Sequence, residues 1–369
     1  MNVLVTGSKG FIGRNLIAEL RNQGYTEIFE YNRETDESLL DKYCMKADFV
    51  FHLAGVNRPK DEKEFIKGNT NFTSLLLDTL NKHNNNCPIM LSSSIQAELD
   101  NPYGHSKKMS EDLIFKHNKD TSSKILIYRF PNVFGKWCKP NYNSVVATFC
   151  HNIANGLPIH VNDPEVKLKL IYIDDVIEEL INALKGKENG SGKFCEVSTV
   201  YTATLGEIAN LIYSFKESRS ERTIPDVSEP FVKNLYSTYL SYLPEDQFSY
   251  ELKMNTDNRG SFTEFIKTID RGQVSINISK PGINKGNHWH HTKTEKFLVV
   301  SGKGVIRFRK IDSDKVIKYF VSGEKLEVLD IPTGYTHNIE NLGDTDMVTV
   351  MWANELFDSE KPDTYYLEV

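Results

Sequence analysis

At 369 residues the chain is longer than a single hydrophobic core usually supports, so two domains are expected. A composition of 39% hydrophobic and 25% charged residues with a net charge of -6 leaves no basic footprint for nucleic acid or an anionic membrane surface. No apolar run approaches the ~20 residues that span a bilayer, and the opening Met-Asn-Val-Leu-Val-Thr-Gly reads as buried strand rather than signal peptide, so a cytoplasmic protein without membrane insertion is expected.

From the start, β-branched runs alternate with helical spacing. Strands are predicted at Val3 to Thr6, Glu27 to Tyr31, Phe49 to Leu53, Ile89 to Ser92 and Ile125 to Arg129, and helices at Phe11 to Arg21, Lys63 to Lys82 and Ser106 to Lys119. That alternation predicts an α/β, doubly wound parallel sheet of Rossmann type. Polar Gly/Asn-rich loops are read at Asn81 to Asn86 and Lys185 to Gly192, and a tyrosine-rich stretch runs from Leu235 to Pro244. After about Asn255 the texture changes to short alternating strands between turns, at Gln273 to Ser279, Lys296 to Ser301, Val305 to Arg309 and Met347 to Trp352, which predicts an all-β barrel. The expected domains are 1-250 and 251-369. Cys44, Cys87, Cys138, Cys150 and Cys195 are odd in number, widely spaced and free of any Cys-x-x-Cys pair, so neither disulfides nor a thiolate metal site is expected.

Thr6-Gly7-Ser-Lys-Gly10-Phe11-Ile12-Gly13 follows a strand and opens a helix, which lets backbone approach a pyrophosphate while the helix N-terminus faces its charge. Tyr103 and Lys107, four residues apart near a helix start, share a face, and Ser92-Ser93-Ser94 ends the preceding strand. Together with His52-Leu53-Ala54-Gly55, Asn71, Arg129-Phe-Pro-Asn132-Val-Phe-Gly135 and Ile173-Asp174-Asp175-Val176, these motifs resemble the extended short-chain dehydrogenase/reductases that act on nucleotide sugars. The resemblance implies that Ser94 binds the substrate carbonyl oxygen, that Tyr103 is the general acid/base, and that Lys107 lowers the Tyr103 pKa and bonds the nicotinamide ribose. It places the cofactor against Thr6, Gly7, Gly10, Phe11, Ile12, Gly13, Leu53, Ala54 and Gly55, and the substrate against Ser93 and Asn132, Ser93 being an alternative to Ser94. Asp174 and Asp175 are read as caps of the following helix.

NAD-dependent relatives carry an acid at the end of the second strand. Here Tyr31, Asn32 and Arg33 occupy that place, and Arg33 suits a 2′-phosphate, so NADPH is expected, with Glu30 keeping NAD as the alternative.

In the second half, His288-x-His290 puts both rings on one side of a strand, Glu295 follows, and Pro332-Thr-Gly334-Tyr-Thr-His337 adds another histidine after a turn. The stretch from Gly282 to Gly302 and the positions Pro332, Gly334, His337 and Asn341 resemble the two cupin motifs, the second without its leading glycine. That resemblance implies one divalent metal ion, zinc first among Zn, Fe, Mn and Ni, held by His288, His290, Glu295 and His337. Trp289 and His291 are expected to face outward without a role. Asp257 to Glu264 resembles the entry strand of cupin-type deoxysugar epimerases.

As a whole, the chain resembles the bifunctional capsular-polysaccharide enzymes that join a reductase to a metal cupin. This implies that the cupin epimerises C3 of a UDP-2-acetamido-2,6-dideoxy-hexos-4-ulose. The reductase half then reduces C4 with NADPH, giving UDP-N-acetyl-6-deoxy-L-talosamine for N-acetyl-L-fucosamine in capsule. The C3 proton is acidic only while the C4 ketone accepts charge, so epimerisation comes first. A homodimer is also expected. Two alternatives stay open: a single-function reductase whose cupin is a noncatalytic sensor or dimerisation module, and a nucleotide-binding regulator, which would have no use for Tyr103 and Lys107.

Overall fold

Strand Val3–Thr6 is buried along its whole length, as a strand covered by helices on both faces must be. The structure, a computed structural model, describes residues 1–59, 61–190 and 192–369; the predicted loop at 185–192 therefore includes Ser191, which lies outside the described residues. Val3–Thr6 pairs in parallel with Ile28–Tyr31 on one side and Phe49–His52 on the other, and Ile89–Ser94 and Ile125–Phe130 complete a five-stranded parallel sheet. Because the chain steps outward from the first strand to the second and then returns to the first strand's other flank, a crevice opens at the carboxyl ends of Val3–Thr6 and Phe49–His52. Apolar clusters fill both faces, one around Leu16, Phe51 and Leu180, the other around Leu4, Leu76 and Ile114.

Helix Pro102–Thr121 begins four residues before its predicted start, with Pro102 in its first turn and Asn101 accepting the Gly104 N–H at 2.8 Å. The predicted helix from Lys63 to Lys82 is interrupted: Ile66–Asn71 winds as a π-helix between Lys63–Phe65 and Phe72–Lys82. Several helices gave no usable periodicity. Glu37–Lys46 buries only Leu40 and Cys44, while Val145–Ala154 is apolar nearly all round and so lacks a stripe. Asp174 and Asp175 do not cap helix Ile173–Leu184, whose N-cap is Tyr172 without a side-chain bond. They occupy the first turn instead, where negative charge suits the helix dipole, and Asp174 pairs with Lys136 at 2.5 Å.

The later residues form two antiparallel sheets. One runs 328–331, 295–301, 347–353, 272–279, 260–268, 255–257; the other runs 316–322, 303–310, 335–341, 284–289, 365–366. An apolar cluster around Phe297, Ile306, Phe308 and Ile339 fills part of the interior. Gln273, Ser275, Asn277 and Ser279 alternate along one face of Gly272–Ser279 and are all buried, a polar wall where a barrel closed on itself would carry hydrophobes. The chain divides into two compact units, 1–213 with 227–244 and 214–226 with 245–369. Among the described residues no helix is long and apolar enough to cross a membrane.

Candidate active site and metal cluster

In the first unit a cavity of about 880 Å³ lies at the carboxyl ends of the strands, and Gly7, Gly10, Arg33, Ala54 and Gly55 are among the residues that line it. Thr6 is fully buried beneath, its hydroxyl 2.8 Å from His52 Nδ1, while Phe11, Ile12 and Leu53 pack against the core rather than the cavity. Gly7 sits at φ +70°, where a Cβ would stand 2.7 Å from the Ala54 nitrogen, and a Cβ on Gly13 would fall 2.3 Å from the Gly7 oxygen. The turn therefore requires glycine at both places and leaves bare backbone facing the cavity, which fits a pyrophosphate. Glu30 is paired with Arg21 at 2.6 Å and does not line the cavity, whereas Arg33 does.

At the end of strand Ile89–Ser94 the Ser94 hydroxyl lies beside the Tyr103 phenol and accepts the Gln96 N–H at 3.2 Å. Ser93 is committed elsewhere, donating at 2.6 Å to Glu111, a fully buried carboxylate also held by Arg129 at 2.7 and 2.8 Å. Lys107, buried, donates to the Ser92 carbonyl at 2.8 Å. Burial pushes the Tyr103 phenol up to about 12 against the opposing influence of the Ser94 hydroxyl, and pushes Lys107 down to about 8 against the Glu111 charge. Tyr103 thus stands above its ordinary value while Lys107 is turned to Ser92. Asn132 is exposed and donates to the Lys169 carbonyl at 3.2 Å.

Asn71 is exposed, and the interior position belongs to Asn69 on the π-helical turn. Its amide oxygen accepts the Val56 N–H at 2.7 Å, and its nitrogen donates to the Val56 carbonyl and to Ser106 Oγ at 3.1 and 2.8 Å. A Cβ on Gly55 would lie 3.1 Å from Asn69 Oδ1 and 3.2 Å from Lys107 Nζ, so Asn69 braces the loop that faces Lys107. Two asparagines two residues apart give no sequence signal for choosing between them; the π turn decides.

In the second unit, His288, His290, Glu295 and His337 come together, each offering one ligand atom, all within 4.8 Å of one another. A register shift between Gly286 and His288, with Asn287 at φ 60°, turns His288 inward opposite His337. His290 Nε2 and His337 Nε2 each lie 3.4 Å from Glu295 Oε2, and none of these buried atoms has a hydrogen-bond partner among the described residues. Buried polar atoms converging without partners fit a divalent cation, and the mixed nitrogen and oxygen donors are those of a zinc-type site. Burial, with help from His337, pushes His288 down to about 4, so its ring is neutral and free to ligate. A cavity of about 350 Å³ beside Glu295 is lined by Glu264, Gln273, Ser275, Lys293 and Trp352.

A Rossmann-type sheet with Ser, Tyr and Lys at its crevice, in one chain with a β-barrel carrying a three-histidine, one-glutamate cluster, defines a nicotinamide-dependent short-chain reductase fused to a cupin. Residues 3–197 match the NAD dependent epimerase/dehydratase family and residues 255–365 the polysaccharide biosynthesis C-terminal domain. The chain belongs to that epimerase/dehydratase family, in the two-domain form found in capsular polysaccharide proteins. It is 44% identical over 369 residues, 100% of this chain and 99% of the relative, to the UDP-2-acetamido-2,6-beta-L-arabino-hexul-4-ose reductase of Pseudomonas aeruginosa. The crystal structure of the capsular polysaccharide assembling protein CapF from Staphylococcus aureus matches with TM-score 0.95 and 58% identity over 100% of both chains. A structure of CapF with the inhibitor 3-isopropenyl-tropolone matches with TM-score 0.90 and 54% identity, again over 100% of both chains.

Proposed function

We propose that this chain is a bifunctional nucleotide-sugar enzyme of capsular polysaccharide biosynthesis. Its reductase part, 1–250, reduces the C4 ketone of a UDP-2-acetamido-2,6-dideoxy-hexos-4-ulose, and its cupin part, 251–369, inverts C3 of that sugar beforehand. The product is UDP-N-acetyl-6-deoxy-L-talosamine. The observation that carries the reduction is the grouping of Ser94, Tyr103 and Lys107, the last one helical turn beyond Tyr103 and beside Gly55, which lines the glycine-rich cavity. The name of the Pseudomonas relative supports this substrate class.

Bound NADPH supplies the hydride to C4. Ser94 orients the carbonyl oxygen, and the Tyr103 hydroxyl donates its proton to that oxygen as charge develops there. The phenolate left behind is favoured by the Lys107 ammonium once it turns from Ser92. Arg33 at the cavity wall is the group for a 2′-phosphate, which is why NADPH is proposed over NADH.

For the cupin, a divalent metal on His288, His290, Glu295 and His337 supplies Lewis acidity toward a ketone oxygen. The polar wall of Gln273 and Ser275 offers hydrogen bonds for sugar hydroxyls. Removing the C3 proton requires the C4 ketone, so inversion precedes reduction. The relative's name speaks of reduction alone, which favours a second reading: a reductase whose cupin is a noncatalytic sensor or dimerisation module. A homodimer is part of both readings. The test is incubation with the UDP-4-keto-6-deoxy-N-acetylhexosamine and each nicotinamide cofactor, with products identified by NMR. A reduced sugar with retained C3 supports the second reading, and no cofactor oxidation overturns the first and the second alike.

A further inference from the structure

The backbone of 291–293, which joins the ligands His290 and Glu295, turns its amides outward to a single carboxylate from far along the chain. Asp363 accepts the His291 N–H at 2.9 Å, the Thr292 N–H at 2.7 Å and the Lys293 N–H at 2.8 Å, and the Thr292 hydroxyl at 3.2 Å. Its main-chain carbonyl meets His290 Nδ1. A carbonyl oxygen can only accept, so the proton of that ring sits on Nδ1 and the Nε2 lone pair faces Glu295 and His337.

The residues that follow keep Asp363 in place. Tyr365–Tyr366 pairs antiparallel with His288 and Trp289, and the Leu367 N–H donates to the Asn287 carbonyl at 3.0 Å. On the outer face the Tyr365 ring lies 5.1 Å from Trp289 and 4.9 Å from His291, centre to centre. Those two side chains, outward as the strand parity predicts, form a clasp for the segment that holds the inward ligands.

We infer that residues 363–367 form a strap that sets the metal site, with Asp363 the positioning residue for His290 and for the loop leading to Glu295. This rests on the metal reading of the cluster given above. Without the carboxylate, three adjacent amides lose their common acceptor, the loop is free to rotate, and His290 loses the carbonyl that fixes its tautomer. Partners of this kind behind a metal ligand typically matter ~10–100-fold in metal affinity.

The experiment measures Zn²⁺ affinity of the full chain by competition with a chromophoric chelator, and the visible absorption of the Co²⁺-substituted protein, for wild type, Asp363→Ala and Asp363→Asn. The Ala variant is expected to bind Zn²⁺ ~10–100-fold more weakly and to show a changed Co²⁺ spectrum. The Asn variant, which keeps one oxygen facing the same amides, falls between the two. Should Asp363→Ala fail to fold, Asp363→Asn carries the test by the same two readouts. Affinity within twofold of wild type and an unchanged Co²⁺ spectrum in the folded variants overturn the strap while leaving the metal reading intact. A wild-type protein that takes up neither Zn²⁺ nor Co²⁺ overturns both.

Discussion

The Lys107 ammonium donates to the Ser92 carbonyl at 2.8 Å and stands 6.0 Å from the centre of the Tyr103 ring. Buried there, it is pushed from 10.5 down to about 8. Between those values the unfolded chain holds a proton that the folded chain releases, so ligand-free stability rises with pH across that window, and below it Lys107 is a net burden on the fold. The Lys107→Met variant should therefore melt above wild type at pH ~7, by on the order of 1 kcal/mol or more, with the margin shrinking toward pH ~10. Its hydride transfer should drop at the same time, the trade of stability against activity expected where a charge is buried for chemistry. Melting curves across that pH range check the sign, and a variant that melts below wild type at pH ~7 would falsify the assignment of Lys107 as a strained charge.

Tyr103, on helix Pro102–Thr121 one turn before Lys107, stands beside the Ser94 hydroxyl. Replacing it by Phe removes the proton donor and leaves the ring, so hydride transfer should fall by ~10²-fold or more while cofactor binding survives. Single-turnover NADPH oxidation reads this directly. Near-normal turnover by Tyr103→Phe removes the residue from the mechanism.

Arg33 lines the cavity, while Glu30 is turned away to Arg21. Arg33→Ala should raise the KM for NADPH and leave that for NADH nearly unchanged, because only the former carries a 2′-phosphate for a charge-assisted contact. Equal losses with both cofactors mean that the arginine reads something else.

The Rossmann sheet was legible in the sequence because strands such as Val3–Thr6 are buried on both faces and leave continuous apolar runs. The histidine-glutamate cluster was legible because His288, His290 and Glu295 fall within eight residues and His337 follows a Pro-Thr-Gly turn, all chemically scarce types. What stayed hidden depends on local geometry or on distance along the chain. Asn69 replaces Asn71 because Ile66–Asn71 winds as a π-helix, which rotates every later side chain relative to an α-helical count. Ser94 is separated from Ser93 only by the buried Glu111 that claims the latter. Asp363 lies 73 residues beyond His290 and binds backbone amides, which have no residue identity to read.

The two halves should catalyse separable steps, since inversion at C3 needs no hydride and reduction at C4 needs no metal. With the 4-keto substrate in D₂O and no nicotinamide, the intact chain should exchange the C3 hydrogen for deuterium, read by loss of the C3 proton signal in NMR. His290 and His337 each turn toward Glu295 a buried Nε2 that has no hydrogen-bond partner among the described residues, so losing either ring removes one of the four proposed donors. The His290→Ala and His337→Ala variants, or wild type stripped of metal by a chelator, should stop or strongly slow the exchange. Reduction of already epimerised sugar should continue, because Ser94, Tyr103 and Lys107 belong to the other unit. Exchange that persists undiminished in the histidine variants places the C3 chemistry outside the cluster and returns the cupin to a sensing or assembly role. Reduction that fails together with exchange shows instead that the two steps share one site.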